Sequence, residues 1–144
     1  MNENAFSLME RLSKIYSETT IDHILYPRND RSLPNPDGFA TFSSGCSETM
    51  KIWLKIENGI VIQTGFWTDG CAATIACGSM ATHLITGISA MQALALNAQD
   101  IVEALKDFPQ GNHHCAELAA NALRMALKDY LEMDKQPWKK LYRK

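Results

Sequence analysis

The residues of this chain best suited to chemistry are its thiols. Cysteines stand at positions 46, 71, 77 and 115, and the thiolate form of cysteine is both a nucleophile and a soft metal ligand. Three of the four fall at the ends of predicted elements: Cys46 at a strand end, Cys71 where a strand becomes a helix, and Cys115 where a loop becomes a helix. Backbone N–H groups at a helix N-terminus favour negative charge, so Cys71 and Cys115 are expected to have lowered thiol pKa values, which suits metal binding and sulfur acceptance. His114 adjoins Cys115, and Glu48 follows Cys46 by two positions on the same side of its strand. Each could complete a site built on the three thiolates. A cysteine taken alone is ordinarily a small buried apolar residue, and Cys77 is read that way: six residues beyond Cys71, it lies about 240° around a helix and points elsewhere. His23, His83 and His113 are read as structural, loop or surface residues.

Positioning these groups requires a sheet edge and two helix N-termini. Residues 5–16 place Phe6, Leu8, Met9, Leu12, Ile15 and Tyr16 at helical spacing, which predicts a first amphipathic helix lying over the sheet. Residues 26–38 hold three prolines among Asn, Asp and Ser and are expected to form an ordered loop. From residue 39 to 68 the period becomes two, with Met50, Ile52, Leu54 and Ile56 alternating against polar neighbours, then Asn58-Gly59, then Ile60, Ile62 and Phe66. This predicts a hairpin, with residues 39–44 as a third antiparallel strand. A two-residue Asn-Gly turn would pair Ile56 with Val61, whereas a type I turn with Gly59 as a left-handed bulge pairs Ile56 with Ile60 and keeps both apolar rows on one face. A one-residue slip turns one row toward water, so the bulged turn is expected. It aligns Leu54 with Ile62, Met50 with Phe66 and Cys46 with Gly70, and brings Cys46 and Cys71 to the open end of the hairpin.

Residues 71–85 predict a helix of small residues able to approach the sheet closely, stopped at Gly87. Two short helices follow, over residues 89–96 and 99–106, and a last helix over residues 114–133 sets Cys115 in its first turn on the apolar stripe. The expected fold class is α+β, a three-stranded antiparallel sheet covered by helices, in a single domain spanning residues 1–144 with a basic tail at 134–144.

The 144 residues fit one core, and 46% hydrophobic with 21% charged residues is ordinary globular composition. A formal net charge of -2 gives no global attraction to nucleic acid or anionic lipid. No stretch reads as a secretion signal or a membrane span, so the expected location is the cytoplasm, where thiols stay reduced. The tail carries Lys135, Lys139, Lys140, Arg143 and Lys144. It is expected to be solvated, or else to dock on an acidic partner surface.

The segments Tyr26-Pro27-Arg28-Asn29, Asp37-Gly38, Gly45-Cys46-Ser47-Glu48-Thr49-Met50, Gly70-Cys71-Ala72-Ala73 and His114-Cys115-Ala116-Glu117-Leu118-Ala119 together resemble the IscU/NifU N-terminal scaffold family over residues 21–131. The resemblance implies that Cys46, Cys71 and Cys115 bind an iron–sulfur cluster, with His114 as the family's histidine beside the third cysteine. Glu48 stands where the family usually has an aspartate associated with cluster lability, and Ser47 replaces the usual glycine. The sequence Phe108-Pro109-Gln110-Gly111-Asn112-His113 stands in place of the Leu-Pro-Pro-Val-Lys segment read by an Hsp70-type chaperone, so that partner does not follow from the resemblance. Without the long insertion of SufU-type proteins or the extra domains of full-length NifU, the chain is expected to be a stand-alone scaffold.

The implied activity is assembly of a transient 2Fe-2S cluster from iron and sulfur supplied by a cysteine desulfurase, followed by transfer to apo iron–sulfur proteins. Three thiolates leave one ligand position, for His114 or Glu48. A nitrogen or oxygen donor there binds iron less strongly than thiolate and opens first, which favours transfer over storage. Such a protein is a carrier and not an enzyme. Zinc suits the same tetrahedral sulfur-rich site, and the alternative is a zinc-bound persulfide acceptor that stimulates a desulfurase. A cysteine nucleophile at Cys115 with His114 as its base is disfavoured, because adjacent helical side chains diverge by about 100°.

Overall fold

The computed structural model of the protein describes residues 5–45 and 47–135. Helices α1 (Ala5–Ser13) and α2 (Glu18–Leu25) precede strands β1 (Gly38–Ser43), β2 (Thr49–Glu57) and β3 (Ile60–Thr68); then come α3 (Ala72–Ile85), α4 (Ala90–Leu94), α5 (Ala98–Leu105) and α6 (His113–Lys135). The strands form one antiparallel sheet in the order β1-β2-β3. Among the described residues no helix is long and apolar enough to cross a membrane.

The strict alternation of β2 sends Met50, Ile52, Leu54 and Ile56 to one face, where all are buried. On that face α6 lies across β1 and β2, and α3 against β3. Burying a side chain of this size contributes about 1.5–3 kcal/mol, and the row anchors the sheet to both helices. The opposite face is only partly covered. It pairs the Phe39 and Trp53 rings at 5.4 Å and sets the Lys51 ammonium 5.2 Å from the Trp67 ring.

The hairpin departs from the expected register. Ile56 pairs with Val61 across a two-residue turn in which Asn58 (φ +53) and Gly59 (φ +77) are both left-handed, as a tight Asn-Gly turn requires. The irregularity lies instead inside the hairpin, between Lys55 and Ile56, so that Leu54 faces Thr64, Ile52 faces Phe66 and Met50 faces Thr68. The displaced bulge solves the same problem, since Val61, Thr64 and Phe66 are buried while Ile60 and Ile62 are exposed. The alignment of Cys46 with Gly70 falls on a residue outside those described.

The first helix is also corrected. It ends at Ser13, and α1 packs on α2, which in turn packs on α3, so it belongs to an outer layer. Helix α2 was not expected from the pattern, yet its signals are present. Ser17 is its N-cap, accepting a hydrogen bond from the Thr20 N–H at 3.1 Å, and Ile21, Ile24 and Leu25 share one face.

Helix α3 is the central element, with ten of its residues buried. Its small side chains permit the close approach. A Cβ added at Gly78 would stand 2.6 Å from the Phe66 ring and 3.1 Å from the Met50 methyl. Gly78→Ala therefore forces two core side chains apart, a cost of about 1–3 kcal/mol that the gain in helix propensity only partly offsets. A clearly lower urea midpoint is expected, and an unchanged one would mean that the Phe66 ring moves freely. Gly87 ends the helix at φ +98, as the sequence predicts.

Candidate functional site

The chain brings Glu48, Cys71, His114 and Cys115 together at one end of the sheet. Thr49, the first residue of β2, is clamped by the turn after β3: its N–H donates to Asp69 Oδ1 (2.8 Å) and its carbonyl accepts from Thr68 Oγ1 (2.7 Å). Thr68 Oγ1 also accepts from the Gly70 N–H (3.1 Å). These bonds tie the residue preceding β2, Glu48, to the residue preceding α3, Cys71. The Ser44 N–H donates to the Glu48 carbonyl (3.0 Å) and closes the loop between β1 and β2. In that loop Ser47 takes φ +71, a left-handed conformation that costs an L-residue about 1–2 kcal/mol and accounts for the glycine that the resemblance places there.

Cys71 is the N-cap of α3 with extended backbone, and its side chain is exposed. Burial pushes its thiol up, but the Thr74 N–H, the Thr74 hydroxyl and the Ala73 N–H favour the thiolate and leave the net shift downward, despite the Glu48 charge. That agrees with the expectation for Cys71. Cys115 behaves oppositely. In the first turn of α6 it is fully buried, and burial, opposed by the Thr74 hydrogen bond and aided by the charges of Cys71 and Glu48, pushes its thiol up to about 11. The expected lowering at Cys115 is thus overturned, because desolvation and neighbouring negative charge outweigh the helix N-terminus.

The donor atoms of Glu48, His114 and Cys115 lie within 4.8 Å of one another. His114 Nε2 is 3.6 Å from Cys115 Sγ. Cys71 joins them through Thr74, whose hydroxyl is 3.7 Å from Cys71 Sγ, 3.2 Å from Cys115 Sγ and 3.2 Å from Glu48 Oε1. Thr74 was missed by the sequence reading. The available signal was its position three residues beyond Cys71, on the same face of the helix. A Cβ added at Gly70 would meet the Thr74 side chain at 2.7 Å, so Gly70 leaves that side chain its room.

The approach to α6 is held by aromatic packing. Phe108 is buried, with the Tyr16 ring stacked at 6.4 Å and the His113 ring at 6.2 Å and 9°. The Tyr16 phenol is pushed up by burial and then by the charges of Cys71, Cys115 and Cys77. Cys77 is fully buried in the core and its thiol is pushed well up, chiefly by burial, in keeping with a structural role. His83 is exposed, whereas His23 is buried against Ser79. Cys46 and the tail beyond Lys135 lie outside the described residues.

Two thiols, a histidine and a carboxylate at the junction of a three-stranded antiparallel sheet and two helix N-termini define a small α+β domain with a candidate metal site. Residues 15–137 match the family described as NifU-like N terminal domain, and the chain belongs to that family. It is similar to the iron–sulfur cluster assembly scaffold protein IscU 1 of Archaeoglobus fulgidus, with 38% identity covering 81% of this chain and 76% of that one. It is also similar to the iron–sulfur cluster assembly scaffold protein IscU of Escherichia coli, with 37% identity covering 80% and 93%. In three dimensions it resembles the N-terminal NifU-like protein of Brucella abortus at a TM-score of 0.65 and 20% identity, covering 84% of this chain and 97% of that one. That last likeness concerns the fold alone.

Proposed function

We propose that this chain is a scaffold on which an iron–sulfur cluster is assembled and from which it passes to an apoprotein. Cys46, Cys71 and Cys115 are the thiolate ligands, with His114 or Glu48 in the fourth place. The observation that carries the reading is the convergence of Glu48, His114 and Cys115 donor atoms within 4.8 Å, with Cys71 linked to them through Thr74. Two soft thiolates with a borderline imidazole and a hard carboxylate form a mixed donor set, suited to iron and sulfide and weaker at one corner. Relatives named as assembly scaffolds support the same reading.

The sulfur donor is a cysteine desulfurase. A scaffold thiolate attacks the outer sulfur of the donor's persulfide, the donor's sulfur–sulfur bond breaks, its thiolate leaves, and the persulfide now sits on the scaffold. Each sulfane sulfur needs two electrons to become sulfide. For two sulfurs, oxidation of two ferrous ions to ferric supplies two electrons and an external reductant supplies the other two, giving a 2Fe-2S cluster. The chain holds and releases this cargo without turnover chemistry of its own, as one domain in the cytoplasm. No role is assigned to an Hsp70-type chaperone.

The test is anaerobic incubation of the full chain with ferrous iron, cysteine, a desulfurase and a dithiol reductant, followed by visible and Mössbauer spectra. A 2Fe-2S signature lost on Cys46→Ala, Cys71→Ala and Cys115→Ala is expected. Zinc with persulfide on a single cysteine, and no cluster, would replace the scaffold by a sulfur acceptor.

A further inference from the structure

Thr74 lies among the groups proposed as ligands but can ligate none of the cargo as well as they do. It is fully buried, and its hydroxyl carries one hydrogen against three acceptors, Cys115 Sγ and Glu48 Oε1 each at 3.2 Å and Cys71 Sγ at 3.7 Å. While the thiols are protonated they can donate in turn, and every contact has a hydrogen to share. Once metal has taken both thiolates, those hydrogens are gone. The single hydrogen must then go to one of the three acceptors, of which the Cys115 sulfur and the Glu48 carboxylate are closer than the Cys71 sulfur.

We propose that Thr74 is a positioning residue that donates its hydrogen bond to the ligating Cys115 sulfur in the loaded scaffold, with Glu48 as the competing acceptor. The proposal rests on the scaffold reading and deepens it. Three structural facts favour the sulfur. Thr74 stands in the first turn of α3, a rigid buried element; Cys115 stands in the first turn of α6, which packs directly on α3; and Glu48 stands on the loop that contains the strained Ser47. The distance between the two helix ends is fixed by the core, whereas that to the carboxylate depends on a loop. A hydrogen bond to a ligating sulfur withdraws charge from it and stabilises the cluster, as outer partners of metal ligands generally do. When the carboxylate recaptures the hydrogen, that support is withdrawn and the cargo is freed.

The experiment compares the wild type with Thr74→Val, which keeps the volume, Thr74→Ala, which removes it, and Thr74→Ser, which restores the hydroxyl. Each is loaded as above, and the iron–sulfur stretching bands are recorded by resonance Raman in ordinary and heavy water, together with the rate of cluster loss to a chelator. The expected result is a deuterium-sensitive Cys–Fe stretch in the wild type and the Ser variant. The Val and Ala variants should show a clearly smaller deuterium shift, the part that remains coming from the backbone N–H groups at Cys71, and lose the cluster about tenfold faster. A deuterium shift in Val or Ala as large as in the wild type, or a Ser variant that behaves like them, overturns the role of the hydroxyl and leaves the scaffold reading standing. A wild type that loads no cluster at all removes both.

Discussion

Glu48→Ala is expected to load a cluster as readily as the wild type and to lose it about tenfold more slowly, a change of the size that outer groups of metal sites commonly produce. The carboxylate places a further negative charge beside two thiolates, within 4.8 Å of Cys115 and His114 donor atoms. It also accepts from the Thr74 hydroxyl at 3.2 Å. A loaded site already concentrates negative charge from thiolates and sulfides, so the carboxylate raises the energy of the loaded state and competes for the Thr74 hydroxyl hydrogen. Removing it relieves both effects and leaves His114 as the fourth ligand. Glu48→Gln keeps the shape and removes the charge, and its half-life against a chelator should follow that of Glu48→Ala. Faster loss from Glu48→Ala would instead make the carboxylate the fourth ligand.

The second large effect is on stability and lies away from the site. His23 is only 4% exposed, and its pKa is lowered to about 4 by burial first and the Arg28 charge next, with Asp22 opposing and His83 adding a little. The hydrogen bonds are compatible with a neutral ring. The Arg28 N–H donates to Ser79 Oγ at 2.8 Å, and Ser79 Oγ lies 2.6 Å from His23 Nδ1, where the hydroxyl can donate to a neutral ring. A proton on Nδ1 would require the hydroxyl to turn and its oxygen to accept from both the ring and the Arg28 N–H. Because the folded pKa lies below the unfolded value, the unfolded chain binds more protons between about pH 6.5 and 4. Stability is thus intact above that window and lost as pH falls through it, by about 3 kcal/mol at pH 4. His23→Asn keeps an acceptor for Ser79 and removes the titration. Urea midpoints at pH 7 and pH 4.5 should converge in that variant and diverge in the wild type, and parallel behaviour would mean that the ring is protonated in the folded state.

The elements that hold the site were readable because two of them carry strong local signals. The change from period two to helical spacing marks the start of α3, with Cys71 at its N-cap, and the stripe from Cys115 to Tyr130 marks α6. Where several local solutions satisfied the same pattern, the outcome depended on long-range packing. Either hairpin register buries two apolar rows, and the choice followed from which β3 residues meet α3, so the bulge fell at Lys55 and Ile56 and Ile62 was left outside. The placement of α1 needed α2, an eight-residue helix whose signals, the Ser17 cap and one apolar face, are present but short. Cys115 shows the limit at the site itself, since a helix N-terminus is visible in sequence and the depth of burial that reverses its effect is not. Thr74 was invisible for a related reason: an alcohol has no ligand signature, and its importance comes only from what surrounds it.

The two acceptors closest to Thr74 lie 26 and 41 positions away along the chain. Bringing such distant segments together costs loop entropy that only the completed core repays, so the unfolded chain has no such constellation to offer a cluster. Cargo then binds the native state alone and by mass action deepens its well by RT ln(1 + [L]/Kd), about 2.7 kcal/mol at a hundredfold excess over Kd. Each delivery therefore returns the scaffold to a shallower well, and the empty form is the one most exposed to proteolysis and most in need of prompt reloading.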